Sequence, residues 1–384
     1  MFTKDHQHHI DKVCSMKEDL KGIYMHLVIK SIAISMISIF VPIQLLKLGF
    51  SLSQTFAYLL VQWGCFALLA PLSSMVISRI GIKEVILLRT PILVGALIYL
   101  GAMNSNDALR AYYMFPAVLL GLSASLYTLS ISSLFTQFMH RKSEGSETSK
   151  FIALPTLGTV VGPLIGGWVV MIFGFATLYT IVSVVLMSSI IPIAFVKGNL
   201  DHPGFRFSAF MQFFRTHRKM FLMLNLYGIK GFVFFMVLPI ALYLNRDNIL
   251  ALGAIMSVIT LFNVLCAFKI GHTVDKYGKR KILKFGALGT AFMLVTLGLV
   301  MHSTLLIYLS VVAGMVKILL DVPFESIVYD AAKSSESPLE FLAFKEFSFF
   351  FGRALLFIGL IIFADKIQYA FYVGSVSTLP IIFL

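Results

Sequence analysis

The chain has 384 residues, of which 58% are hydrophobic and 13% are charged, and its mean hydropathy is +0.90. Soluble domains rarely have this composition, so it indicates an integral membrane protein. The apolar runs reach about 20 residues, the length of a helical crossing, and they lack the alternation of apolar and polar residues that barrel strands show. The prediction is therefore an all-α membrane protein.

The first half of the chain begins with a polar tail, residues 1–22, which has no apolar segment or cleavage site typical of a signal peptide. Its His6, His8 and His9 are interpreted as solvated side chains, and the cysteines lack metal-ligand or disulfide spacing. No metal or cofactor is predicted. Six spans follow, at 23–47, 53–77, 84–103, 111–137, 151–173 and 175–196.

The second half begins after a polar stretch, 197–219, which is interpreted as a cytoplasmic loop. This division predicts two pseudo-symmetric six-helix halves, at 23–196 and 220–384, and twelve transmembrane helices in all. The later spans are predicted at 221–244, 248–271, 283–301, 303–329, 339–364 and 367–384.

The net charge of +13 has an uneven distribution along the chain. If the N-terminus is cytoplasmic, most lysines and arginines outside the spans fall in loops on that same side. The basic charge then reflects topology and excludes nucleic acid as the expected partner. We expect a multi-pass protein of the plasma or inner membrane, a monomer in the lipid bilayer, with both termini cytoplasmic.

An internal repeat supports the division into halves. Four features recur 197 positions later in the corresponding spans and loops. They are Pro42-Ile43 with Pro239-Ile240, Arg79 with Lys276, Gly81 with Gly278, and Lys83 with Arg280.

The loop after span 8 reads GHTVDKYGKRK, with Gly271, Asp275, Lys276, Gly278 and Arg280 at the characteristic spacing. Gly278 suits a positive φ between two helices, and the basic residues suit a cytoplasmic loop. The stretch resembles the signature loop of the major facilitator superfamily, and the resemblance extends over the whole chain.

The resemblance implies a substrate cavity lined by spans 1, 4, 7 and 10. It also implies that Asp275 faces the start of span 5 near Lys150. In the first half the loop retains Arg79 and Gly81, but Ser78 stands where the second half has the acid.

Span 5 contains the run GTVVGPLIGG, from Gly158 to Gly167. Gly158, Gly162 and Gly166 share one helical face, where another helix can approach closely, and Pro163 permits a kink. With Gly167, the run resembles the fifth-helix motif of the superfamily's antiporter branches. That resemblance implies conformational gating at the interface between the halves. The span 4 arginine of proton-driven drug exporters is absent, because Ala117 occupies the corresponding place before Gly121.

Charged residues within the last spans allow three interpretations, because charges inside a membrane must face a cavity or each other. In the first, the charges form a salt-bridged internal network. In the second, Asp321 or Glu325 couples transport to protons. In the third, Lys317 and Arg353 attract an anionic substrate. The residues concerned are Lys317, Asp321 and Glu325 in span 10, and Lys345, Glu346 and Arg353 in span 11.

Three lysines, Lys30, Lys230 and Lys317, lie in spans that the resemblance assigns to the cavity, and we expect them to converge there. Tyr127 and Asn225 are neutral polar candidates in the same set of spans.

The leading functional prediction is a secondary transporter of a small organic solute working by alternating access, as an exporter or antiporter. The alternatives are an organic-anion importer or exchanger, and a transporter-like receptor or scaffold that moves no solute. The expected partners are a small-molecule substrate and protons or another coupling ion. No phosphate-binding loop, zinc-ligand spacing or nucleophile motif indicates an enzyme.

Overall fold

The computed structural model of the protein describes residues 21–140, 145–196 and 204–383. Side chains are described in these ranges except at 135–140, 145–154, 275 and 333. Within this part the chain is helical and contains no strand. The histidines of the tail and the side chains of Lys150 and Asp275 are not described, so the predicted Asp275 contact remains a prediction.

The first helices follow the predicted spans closely. Helix α1 covers Lys21–Lys47, with an irregular turn at 36–39. Helix α2 consists of Leu52–Leu68 and Ala70–Ile80, which are bent by 46° relative to each other. Helix α3 covers Ile82–Ala102 and α4 covers Met114–His140.

A continuous helical run, Gly145–Ala194, changes direction at Gly174, whose φ of 80° and ψ of 172° are not helical. We call 145–173 α5 and 175–194 α6. The first part lies parallel to α1, since Gly158 approaches Ser31 and Gly166 approaches Phe40. The second part is antiparallel to α1, since Tyr179 bonds Gln44 and His26 bonds the Ser189 carbonyl. The run therefore crosses the bundle twice.

The second half contains α7, Arg218–Arg246, with a π-helical turn at Val233–Val237. It is followed by α8 (Ile249–Tyr277), α9 (Lys279–Leu299), α10 (Leu305–Ser334), α11 (Pro338–Ile362) and α12 (Gln368–Thr378). Among the described residues, eight helices are long and apolar enough to span a membrane, or nine if the bent α2 is included. The charges of α11, the short length of α12 and the merged α5 and α6 explain the difference, and the fold is consistent with twelve spans.

The backbone confirms the internal repeat. Gly81 and Gly278 each join two helices with similar positive φ values, 98° and 86°. The irregular turn of α1 at 36–39 and the π-helical turn of α7 at 233–237 are also 197 positions apart. Corresponding helices of the two halves therefore share their local distortions as well as their sequence features.

We call the end of the bundle where α1 begins the proximal end, and the end where α1 finishes the distal end. The two sets of six helices contact each other mainly through α5 with α8 and α2 with α11. Large apolar side chains cover the outside of the bundle, such as Phe195, Phe292 and Leu299, each more than two-thirds exposed. An exposed apolar belt of this kind matches a lipid-facing surface, and the chain is a multi-pass membrane protein.

Part of the predicted central loop is helical, at Phe207–Thr216. Phe210, Phe213 and Phe214 recur at helical spacing, so they share one face that packs on α11. The backbone NH of Arg206 donates to the Glu340 carboxylate at 2.8 Å. The polar flanks of the segment conceal this amphipathic pattern when it is interpreted by composition alone.

Candidate functional site

The glycines of α5 pack against α1, a neighbour in the same half. A Cβ atom at Gly158 would meet Ile32, one at Gly162 would lie 3.0 Å from the Met36 nitrogen, and one at Gly166 would meet Phe40. The expectation that this stripe forms the interface between the halves is therefore wrong. The three glycines are spaced for one face, and that face is occupied by α1.

The interface between α5 and α8 uses different residues of the same motif. A Cβ at Gly167 would lie 3.0 Å from the Ile249 carbonyl oxygen, and Gly253 approaches the carbonyl of Pro163. The backbone NH of Leu164 donates to the Ser257 hydroxyl at 3.0 Å. Pro163 and Gly167 thus lie where the two halves meet near the distal end.

The loop motif confirms the expected role of its glycine. Gly278 ends α8 and begins α9 with a positive φ, and nothing lies within 4 Å of a Cβ built there. The glycine is needed for its backbone conformation. Gly271 lies inside α8, while Arg79, Lys276 and Arg280 are exposed at the proximal end.

Two cavities lie between the halves. The larger, about 420 Å³, is lined by both Lys30 of α1 and Lys317 of α10, together with Thr159, Asn263 and apolar residues of α5, α7 and α8. The smaller, about 170 Å³, is lined by Lys30, Arg89 and Tyr127. Both cavities share Lys30, Ile34, Ser38 and Phe235, so they adjoin each other. No carboxylate is among the residues that line them.

Asp321 of α10 is the centre of a compact charge cluster. It pairs with Lys230 of α7, which is 1% exposed, and accepts a hydrogen bond from the Tyr227 hydroxyl at 3.1 Å. Lys317 lies 3.6 Å from its second oxygen. The expected convergence of three lysines is therefore only partly found, because Lys230 is drawn to Asp321 and lines neither cavity.

A second cluster extends toward the proximal end. Lys345 lies 3.5 Å from Glu325 and 3.7 Å from Glu346. Arg353 packs over the rings of Phe232 and Trp63. Asn225 bonds the Phe221 carbonyl of its own helix at 2.7 Å and lines neither cavity. The pairs of Lys345 match the salt-bridged network, the first of the three interpretations, whereas Arg353 has ring contacts and no ion pair among the described residues.

Arg89 and His26 are absent from the residues predicted from the sequence, although both fall within predicted apolar spans and are buried. Arg89 is 2% exposed, and its Cζ lies 4.1 Å from the centroid of the Tyr127 ring. The Lys30 Nζ lies 4.0 Å from the same centroid, and the His26 ring is 5.9 Å away. A basic residue in the middle of a 21-residue apolar helix is a signal of function that sequence inspection had available.

The distal end carries an ion pair that joins the halves. The Lys47 Nζ of α1 lies 3.1 Å from the Asp247 carboxylate, which also accepts a hydrogen bond from Tyr243 at 2.6 Å. These two donors lower the pKa of Asp247, the Tyr243 hydrogen bond most strongly. At this end α2 and α11 are also linked, by the Ser53 hydroxyl donating to the Ile361 carbonyl at 2.9 Å.

The fold of this chain is similar to those of solved transport proteins. A mutant form of the nucleoside transporter NupG superposes with a TM-score of 0.73 at 12% identity, covering 95% of this chain and 98% of that one. A D-xylose-proton symporter superposes with a TM-score of 0.72 at 11% identity, covering 96% of each chain. The sequence matches no protein-family model and no curated protein sequence. The all-helical fold that the resemblance implies is thus shared with these two structures over nearly the whole chain.

Proposed function

We propose that this protein is a secondary transporter that moves a small organic solute across the membrane by alternating access. The observation that carries this proposal is the cavity of about 420 Å³ that residues of both halves line together. Ligand sites between domains are typical of proteins whose domains move relative to each other, and transporter folds bind substrates between their repeats. The two similar structures are both transport proteins, which supports the same class.

The contacts between the halves support a two-state mechanism. At the distal end, α5 packs on α8 and Lys47 pairs with Asp247. An alternating-access cycle requires these contacts to separate while the proximal ends of the halves approach each other. The ion pair is solvent-exposed and therefore weak, which suits a contact that must break in each cycle.

Distance measurements between spin labels test the mechanism without knowledge of the substrate. One pair is placed at the distal end, at the exposed positions 105 and 246, and the other at the proximal end, at positions 80 and 336. We expect two populations in which one distance is long when the other is short. A single fixed pair of distances under all solute and pH conditions would favour the receptor or scaffold alternative.

The direction of transport is a hypothesis supported only by the resemblance of the α5 glycine motif to the antiporter branches. The similar structures include a symporter, and neither supports export. Proteoliposomes with an imposed pH gradient, screened with labelled solutes, would measure direction and proton coupling together. Accumulation inside acid-outside vesicles requires symport, whereas accelerated release requires antiport.

We also propose that the proximal end faces the cytoplasm, on the support of the basic loops at that end. Single cysteines at positions 215 and 280 should then be protected from an impermeant thiol reagent in intact cells. Cysteines at positions 105 and 246, which lie at the distal end, should react. The opposite pattern would reverse the orientation and leave the fold unchanged.

A further inference from the structure

Arg89 is a buried cation without a protein partner for much of its guanidinium group. Its Nε and Nη2 atoms make no hydrogen bond to any described residue, and no carboxylate lines the cavity beside it. Its backbone carbonyl accepts a hydrogen bond from the Ser123 hydroxyl at 3.1 Å. Nε and Nη2 therefore do not tie Arg89 to a neighbouring helix within the described residues.

A second cation, Lys30, and a further donor, the Tyr127 hydroxyl, lie close to Arg89. Lys30 and Arg89 both lie over the Tyr127 ring, and Lys30 has no described acid within 4 Å. The Tyr127 hydroxyl is buried, and it has no hydrogen-bond partner in the part of the chain that the structure describes. Contacts to an aromatic face offset only part of the cost of placing a cation inside a membrane. Mutual repulsion between the two cations adds to that cost.

The cavity beside these groups has a mixed character. Two cations, Lys30 and Arg89, lie beside Tyr127 and a few neutral polar side chains, and the rest of the lining is apolar, with residues such as Leu93 and Leu120. Its volume of about 170 Å³ is comparable to the roughly 150 Å³ in which an apolar cavity holds benzene. A ligand with one charged group and a compact apolar body fits this arrangement.

We propose that Arg89, Lys30 and the Tyr127 hydroxyl bind the negatively charged group of an organic anion, whose apolar body lies against Leu93 and Leu120. This inference rests on the proposed transport function and names its substrate class. The guanidinium and ammonium groups donate to a carboxylate or similar oxyanion, and the hydroxyl adds a third donor. Lys230 is not part of this site, because Asp321 already neutralises it.

Benzoate and benzamide are suitable probes because they have nearly the same shape and differ in charge. Full-length protein in neutral detergent is titrated with each compound at matched ionic strength, and its thermal unfolding midpoint is measured. We expect saturable stabilisation by benzoate and none by benzamide. Arg89→Gln and Lys30→Gln should each weaken benzoate binding by at least about tenfold, since each removes a charged donor. Lys269→Gln, at an exposed position of α8, should leave benzoate binding unchanged.

The unliganded variants provide a second measurement. Arg89→Gln should unfold at a temperature no lower than that of the unsubstituted protein, because no acid loses its partner. A lower unfolding temperature would assign Arg89 a structural role and overturn the proposal. Equal stabilisation by benzamide, or benzoate binding that is unaffected by Arg89→Gln, would also overturn it.

The outcome separates this site from the transport proposal. If the spin-label distances alternate but benzoate does not bind, the transport mechanism stands and the anion site is wrong. If benzoate binds through Arg89 but the distances never change, the anion site stands and transport is wrong.

Discussion

Asp321 and Arg89 are both charged and both lie inside the membrane, yet their surroundings differ. Asp321 has two lysines and a tyrosine hydroxyl around its carboxylate. Arg89 has aromatic contact without a carboxylate among the described residues. A satisfied charge of the first kind stabilises the packing of its helices, while one of the second kind is suited to a ligand.

The contacts of Asp321 lead to a prediction about stability. Asp321→Asn leaves Lys230 buried without a negative partner, so the free energy of unfolding should fall by about 3 to 5 kcal/mol. Unfolding in mixed micelles would measure the loss. Lys230→Gln combined with Asp321→Asn should restore part of it, because the stranded charge is then absent.

The same variant tests the proton-coupling hypothesis. If Asp321 couples transport to protons, a folded Asp321→Asn protein should lose pH-driven transport and retain passive exchange. A stable variant with undiminished pH-driven transport would contradict both the structural and the coupling roles.

At the scale of elements, the close packing of helices depends on glycines at the points of contact. Gly162 faces Ser35 and Met36 of α1, and the added methyl group of Gly162→Ala would overlap the Ser35 side chain. We expect a loss of about 1 to 3 kcal/mol in the free energy of unfolding. Gly95→Ala is the matched control, because nothing lies within 4 Å of its Cβ position. Adding Ser35→Gly should recover stability in the Gly162→Ala protein.

The turn between α8 and α9 requires a positive φ at Gly278. The other motif glycine, Gly271, lies inside α8 and serves as a comparison. Gly278→Ala places a side chain at a φ of 86°, which should cost about 1 to 2 kcal/mol. Gly271→Ala lies within α8 with open space around it, so it should stabilise the protein by up to about 1 kcal/mol. The unfolding midpoint should therefore fall in the Gly278→Ala variant and rise in the Gly271→Ala variant. Equal shifts would mean that the motif glycine at 278 is not required by its conformation.

For the whole molecule, the ion pair between Lys47 and Asp247 should favour the state in which the distal ends of the two halves are in contact. Asp247→Asn should increase the fraction of molecules with a long distance between labels at positions 105 and 246. The change should be small, under about fivefold, and should disappear at high salt, because the pair is exposed. An unchanged distribution at low salt would show that other contacts alone hold the distal end closed.

The pH dependence of this contact follows from the lowered pKa of Asp247. Its contribution is fully present above the ordinary aspartate pKa of about 3.9 and is lost as the pH falls through the lower value of the folded protein. Closure of the distal end should therefore be independent of pH between about 5 and 8 as far as Asp247 is concerned. If closure of the distal end instead changed with a midpoint between about pH 5 and 8, a titrating group other than Asp247 would be responsible.

Much of the fold follows from local information. The structure has the helices that the long apolar runs predict and the turn that Gly278 predicts, and both signals lie in neighbouring residues. The recurrence after 197 positions can likewise be recognised in the sequence without knowledge of tertiary contacts. The helix Phe207–Thr216 is an exception, since its apolar face is short and its flanks are polar.

The partners of each charged residue depend on tertiary structure. The sequence alone identified Asp321, Lys317, Lys230 and Lys30 as residues inside the membrane, because an apolar span makes any charge conspicuous. It did not determine that Lys230 would bond Asp321 while Lys30 would join Arg89 over Tyr127. Those pairings arise between helices that are far apart in the chain, and helix rotation within the bundle decides them. For the same reason the α5 glycines were recognised as a packing face from their spacing, while the identity of the helix on that face, α1, was decided only by the packed bundle.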